Sequence, residues 1–136
     1  MSDLFNVRSV LLCDEVREEV GGKQLIIGAY AGVTLLQFVP FFVSKITLRF
    51  EINVSRSHFD HVECTILRPN GSIFTHEIKP SFDARFPNFP TSIVFVLSGL
   101  NFEYVGNYAV LLAMDGAPER VGDFTIVTPD MIPQNV

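Results

Sequence analysis

Tryptophan is absent from this 136-residue chain, cysteine occurs only twice, and charged residues make up just 18 % of it. The 10 Lys and Arg residues are outnumbered by 15 Asp and Glu, which gives a formal net charge of −5. Because affinity for nucleic-acid phosphates comes from clustered basic residues, this balance disfavours nucleic-acid binding. The missing Trp also counts against a carbohydrate site built on stacking.

The sequence contains no membrane span and no recognisable cysteine motif. Cys13 and Cys64 fit no metal or redox spacing, so each is predicted to be a buried, reduced thiol. The most apolar stretch, residues 25–43, is broken by glycine, glutamine and proline, and so is not the uninterrupted run of ~18 residues that a membrane helix needs. The first residues lack the basic and apolar regions of a signal peptide. We therefore expect a soluble cytoplasmic protein with no membrane contact.

Apolar residues, in contrast, are abundant: they make up 48 % of the chain and include 13 Phe. This content excludes a disordered chain, and the length suits a single domain. We expect one domain over residues 1–128, followed by a loosely ordered tail over residues 129–136.

Alternating side chains are typical of half-buried strands. From Lys45 to Val54 every second residue is apolar, and a shorter alternation covers 62–66. The Asn70-Gly71 dipeptide predicts a tight hairpin turn into a return strand over 72–78, with Phe74 and Ile78 facing inward. The three strands are predicted to form a meander.

Four further apolar runs show no alternation: 10–13, 25–30, 93–97 and 108–114. Their short length and β-branched content favour strands over buried helices. About eight short strands in all predict an all-β fold, an antiparallel immunoglobulin-like β-sandwich.

One segment carries that likeness. In Tyr104-Val105-Gly106-Asn107-Tyr108, the glycine two residues before a tyrosine that opens an apolar strand resembles the tyrosine corner of immunoglobulin-like domains. The resemblance implies structural roles for Gly106 and Tyr108, whose hydroxyl would bond a nearby backbone group. Trp is missing and Val110 stands where such domains carry a Cys, so the resemblance extends to architecture only.

A second resemblance covers the first third of the chain. The segment Cys13-Asp14-Glu15-Val16-Arg17-Glu18-Glu19, then Gly22-Lys23, then Ile27-Gly28-Ala29-Tyr30, resembles the opening of a family of small bacterial proteins of unknown function. It implies a cytoplasmic bacterial β-sandwich and brings no activity with it.

The charged turn over residues 14–23 has two interpretations. It is either an acidic patch for a cation or a basic partner, or a solvated connector in which Arg17 pairs with nearby carboxylates and Asp14 has a structural role. Exposed pairs of this kind are worth only ~0–1 kcal/mol, and the connector is the simpler account.

The three histidines do not predict a metal site. Pairing about the Asn70-Gly71 turn places His76 opposite Thr65, which separates it from His61 by about 13 Å along the strand. Motifs for a nucleophile, a zinc protease or a phosphate loop are also missing. We expect no catalytic, cofactor-binding or metal-binding residues, and no cofactor.

Two segments rich in Phe and Pro interrupt the strand pattern. They contain Phe41 and Phe42 in one, and Phe82, Phe86 and Phe89 in the other. The second group either closes one end of the core or presents an exposed apolar surface.

Strands without alternation need cover on both sides. The outer side chains Ile26, Val94, Val96 and Leu111 are therefore predicted to meet either the Phe-rich loop or a second protein chain. Together with the five loop aromatics they form our hypothetical interaction surface. The leading hypothesis is a non-catalytic interaction or structural module that binds another protein, most simply a second copy of itself.

Two other hypotheses stay open. One is a small-ligand-binding sandwich that uses the Phe/Pro-rich loop, and the other is a metal-dependent enzyme that uses the turn carboxylates or the histidines.

Overall fold

A computed structural model describes residues 4–21, 23–30 and 32–132. The fold is all-β, as predicted, but the described residues form eleven strands instead of about eight. The strands are β1 (Phe5–Glu18), β2 (Gln24–Ala29), β3 (Val33–Leu35), β4 (Phe41–Val54), β5 (His58–Phe59), β6 (Val62–Leu67), β7 (Ile73–Lys79), β8 (Phe82–Asp83), β9 (Pro90–Phe102), β10 (Gly106–Met114) and β11 (Glu119–Val127). A single 3-10 turn over Pro129–Met131 begins the predicted tail, and residues 133–136 lie outside the described residues.

The strands form two large sheets and one small one. Sheet A has the order β2-β1-β4-β9, sheet B has the order β3-β11-β10-β6-β7, and β5 pairs with β8. Neighbouring strands are antiparallel except for β3, which runs parallel to β11. The predicted meander is wrong, because β4 belongs to sheet A whereas β6 and β7 belong to sheet B. Alternation shows that a strand has one buried face but not which sheet it joins.

One hydrophobic core lies between sheets A and B. The alternation of β4 is confirmed, since Ile46, Leu48, Phe50, Ile52 and Val54 are all at most 2 % exposed. They face residues of β10 such as Val110 and Leu112, which are fully buried in the same cluster.

The β6–β7 hairpin shows where register can be predicted and where it fails. Thr65 lies opposite His76 as expected, and Gly71 has a φ of +87° in the turn. A β-bulge interrupts the pairing near Phe74, which packs against the core. Beyond it the alternation shifts by one residue. Ile78 is therefore 52 % exposed, and its predicted inward orientation is wrong.

Candidate functional site

The distal part of the β1–β2 hairpin folds back over the outer surface of sheet A. β1 pairs with β4 only as far as Cys13, which lies opposite Thr47, and beyond that point it pairs with β2. Gln24 of β2 nevertheless donates a hydrogen bond to Ser92 of β9 at 2.8 Å, although β2 and β9 are opposite edges of sheet A. The hairpin must therefore bend back across the sheet, where it buries Cys13 and Thr47. The hairpin of this chain therefore covers part of the outer face of sheet A, where the strands without alternation predict that outer side chains are covered.

Asp14, Gly28 and Tyr30 meet at the bend. The Tyr30 hydroxyl donates to Asp14 Oδ1 at 2.8 Å. Gly28 has a φ of +66°, and a Cβ atom there would come within 2.1 Å of Asp14 Oδ2. Burial, followed by the bond to Asp14, raises the pKa of Tyr30 to about 12, so this hydroxyl remains a donor at neutral pH. Asp14 thus connects the two strands of the hairpin.

Arg17 lies in the same hairpin, and the connector interpretation predicts that it pairs with nearby carboxylates. Its Nε lies 3.3 Å from Glu15 Oε2, and both side chains are substantially exposed. A pair this exposed contributes little to stability.

A groove of about 550 Å³ runs between the folded-back hairpin and sheet A. Gln24 lines it and connects the two walls. Its amide oxygen accepts from Arg49 Nε at 2.7 Å, and its amide nitrogen donates to Glu18 at 2.9 Å as well as to Ser92. Arg85 and Glu51 also line the groove. Sequence reasoning missed this site, since its residues come from four separate segments that only the folded-back hairpin brings together.

The predicted interaction residues do not share one surface. Val94 and Val96 lie on the outer side of β9 and Ile26 lies in β2, all in sheet A. Leu111 lies on the outer side of β10 in sheet B, so the expectation of one continuous face is wrong for it. Val96 is 53 % exposed, whereas Val94 and Leu111 are half-buried.

The Phe/Pro-rich segments divide between the two roles considered for them. Phe82 packs against the core and Phe41 is half-buried. Of the five aromatic residues predicted to interact, Phe42, Phe86 and Phe89 are left largely exposed. The long loop is therefore a core plug at its start and an exposed apolar surface towards its end.

His58 lies between two carboxylates near the β5–β8 pairing. Its Nδ1 is 2.7 Å from Asp83 and its Nε2 is 2.8 Å from Asp60. Because each ring nitrogen faces a carboxylate, the doubly protonated imidazolium is favoured, and the bonds to Asp83 and then Asp60 raise the pKa of His58. No group of His, Cys, Asp or Glu side chains within the described ranges has an arrangement that could hold a metal ion.

Asp115 anchors the adjacent loop, a role that its Asp-Gly turn signal does not reveal. Its carboxylate accepts the backbone N–H groups of Asp60 and His61 at 3.1 and 2.8 Å and contacts Arg56. Desolvation alone would raise the pKa of Asp115, but these backbone N–H groups and Arg56 outweigh it and hold the pKa below its usual value.

We expect His58 to stabilise the fold more in acid than in alkali. A pKa raised by folding gives stabilisation that is fully present below the ordinary histidine value and is lost as the pH rises through the folded-state value. The difference in unfolding free energy between the wild type and His58→Gln should therefore be larger at about pH 5 than at about pH 9. Urea denaturation at both pH values measures it. His76→Gln is the control because His76 bonds the neutral Thr65 hydroxyl; equal differences at both pH values for His58→Gln would contradict the expectation.

The described residues form no helix long and apolar enough to cross a bilayer.

Among solved structures, 49 chains match this fold. One is the Pseudomonas fluorescens alkylpurine DNA glycosylase AlkC bound to DNA containing an abasic site analog, at 13 % identity and a TM-score of 0.44. That match covers 90 % of this chain but only 30 % of the glycosylase. No curated protein matches the sequence. A family model described as "Family of unknown function (DUF6941)" matches residues 8–127, and the chain therefore belongs to that family.

Proposed function

We propose that this protein is a non-catalytic, immunoglobulin-like module that pairs with a second copy of itself along the free edge of β9. The architecture is supported by the connections that pass from one sheet to the other, as in immunoglobulin-like sandwiches. Because of them, strands that are not consecutive in sequence are neighbours, such as β4 and β9 in sheet A and β10 and β6 in sheet B. It is also supported by Tyr108, whose hydroxyl donates to the Tyr104 carbonyl at 2.7 Å, as in a tyrosine corner.

The observation that carries the proposal is the composition of β9. This strand has thirteen residues, none of them charged, and it lies at one edge of sheet A. Natural proteins usually protect an edge by making it short or by placing charges along it. At the edges of sheet B, β3 has only three residues and β7 contains Glu77 and Lys79. The other edge of sheet A, β2, has six residues.

Self-pairing about a two-fold axis suits this edge. In such an interface a residue near the axis meets its own copy, so any charge there would face a like charge. β9 contains no charge to repel its copy. Val96 lies near the middle of β9, on the outer side of sheet A, and its side chain is 53 % exposed. The hairpin that covers Thr47, its neighbour on β4, leaves Val96 accessible.

Replacing Val96 with lysine should therefore convert a dimer into a monomer, because two ammonium groups would be brought together at the axis. Size exclusion with light scattering at micromolar concentrations measures the mass. Ile78→Lys is a matched control, since Ile78 is 52 % exposed on an edge strand of the other sheet. The proposal fails if the wild type is a strict monomer, if Val96→Lys remains a dimer, or if Ile78→Lys dissociates equally.

We also propose a reducing, cytoplasmic location, which is supported by two free and buried cysteines. Burial raises the pKa of the Cys64 thiol to about 12, and burial followed by the Asp14 charge raises that of Cys13. Both thiols are thus kept protonated and unreactive.

A further inference from the structure

The groove under the folded-back hairpin contains cationic side chains without anionic partners. Arg49 is half-buried, and its Nε is held by the neutral amide oxygen of Gln24 at 2.7 Å. Within the described part of the chain, neither Arg49 nor Arg85 has a carboxylate within ion-pair distance. The described contact of the Arg85 guanidinium is with the ring of Phe86, at 5.4 Å.

The acidic side chains of the groove, in contrast, have partners. Glu18 accepts the Gln24 amide nitrogen at 2.9 Å, and Glu51 lies 3.8 Å from Arg8 and 3.5 Å from the Ser9 hydroxyl. The donors still available among the described residues of the groove include the guanidinium η nitrogens of Arg49 and Arg85. They also include the Ser92 hydroxyl proton, since Ser92 Oγ already accepts from Gln24. The two glutamates keep oxygen lone pairs that can act as acceptors.

We propose that this groove binds a small monocarboxylate. A guanidinium offers two parallel N–H groups that match the two oxygens of a carboxylate, and Gln24 holds Arg49 so that its η nitrogens are available. A volume of about 550 Å³ lies within the usual range for small-molecule sites. Gln24 connects both walls, so Arg49 and Ser92 are held in place before a ligand arrives, whereas Arg85 packs on the Phe86 ring.

The charge of the ligand follows from the two glutamates. Glu18 and Glu51 line the same groove, so a multiply charged anion such as phosphate meets repulsion that a single carboxylate largely avoids. Their remaining oxygen lone pairs can accept a hydrogen bond from the ligand. A hydroxyl group next to the ligand carboxylate should therefore strengthen binding.

Titration of the protein with glycolate, acetate and phosphate at constant ionic strength tests this proposal. The probe is the Arg49 Nε–H resonance in a ¹H–¹⁵N spectrum. We expect saturable shifts that are strongest for glycolate, weaker for acetate and weakest for phosphate, with none from equimolar chloride. Tightest binding by phosphate would overturn the ligand class. Non-saturable shifts, or equal shifts with chloride, would overturn the site itself.

Two variants locate the ligand. Arg85→Gln should weaken glycolate binding at least about tenfold, because a charged hydrogen-bond donor is lost while no described contact to the hairpin changes. Arg120→Gln is the control. Arg120 belongs to β11 in sheet B, where it pairs with Asp123, and its loss should leave binding unchanged. Undiminished binding by Arg85→Gln, or equal weakening by Arg120→Gln, would overturn the assignment.

Discussion

Replacing Tyr108 with alanine should lower the free energy of unfolding by about 3–5 kcal/mol, the usual cost of deleting a buried aromatic side chain. Tyr108 is 0 % exposed and stacks on Phe124 with ring centroids 5.2 Å apart and planes 7° apart. Its edge-on contacts to Phe74 and Phe102 are 5.3 and 5.6 Å between centroids. The substitution would remove the centre of this cluster, which connects three strands of sheet B to β9 of sheet A.

Tyr108→Phe separates the ring from the hydroxyl. It keeps the stacking and removes only the 2.7 Å bond to the Tyr104 carbonyl, so we expect a loss of about 0.5–1.5 kcal/mol. Urea denaturation of the wild type and both variants measures the two contributions. If the phenylalanine variant were as unstable as the alanine variant, the hydroxyl bond and not the aromatic packing would dominate at this site.

Tyr108 also shows how much local pattern can predict. A glycine two residues before a tyrosine at the start of an apolar strand indicated the backward hydrogen bond of its hydroxyl, which the structure contains. The Asn70-Gly71 turn predicted the pairing of Thr65 with His76 for the same reason. In each case residues close in sequence determine the geometry.

Features that depend on distant segments were not predictable in this way. Alternation identified the buried face of β4 but assigned the strand to the wrong sheet, and it grouped Leu111 with residues of the opposite sheet. The bulge at Phe74 shifted Ile78 outward, and neither Phe74 nor its two sequence neighbours is a glycine or proline that would indicate a bulge. A local pattern contains no information about which other strand a face will meet.

The candidate groove was missed for the same physical reason. In the sequence, Arg49 is one of the alternating polar residues of β4 and is indistinguishable from an ordinary side chain on a solvent-exposed face. Arg85 lies in the Phe/Pro-rich loop. Only the bend of β1 after Cys13 brings Gln24 to both Arg49 and Ser92. At that bend Asp14 and Gly28, which lie in different strands, approach each other closely.

Gly28→Ala should therefore destabilise the folded-back hairpin by about 2–4 kcal/mol. A left-handed backbone costs an L-residue about 1–2 kcal/mol, and Gly28 has a φ of +66°. The new Cβ would also lie 2.1 Å from Asp14 Oδ2 and 2.7 Å from its Cγ, which forces that carboxylate away from the Tyr30 hydroxyl. Loss of this hydrogen bond adds about 1–2 kcal/mol. Gly32→Ala is the matched control, since a Cβ there meets no atom within 4 Å, and it should change stability by less than about 0.5 kcal/mol.

Thiol labelling distinguishes opening of the hairpin from a general loss of stability. Cys13 is buried beneath the hairpin, whereas Cys64 is buried in β6 of the other sheet. Gly28→Ala should therefore accelerate labelling of Cys13 much more than labelling of Cys64, because local opening exposes only the first. Equal acceleration of both thiols would mean that the substitution acts on the whole domain. An Asp14→Ala background removes the carboxylate and leaves only the Cβ of residue 14, at 3.1 Å from the new Cβ. The same glycine substitution should there cost little more than the backbone strain of about 1–2 kcal/mol. An unchanged cost there would show that Asp14 does not hold the bend.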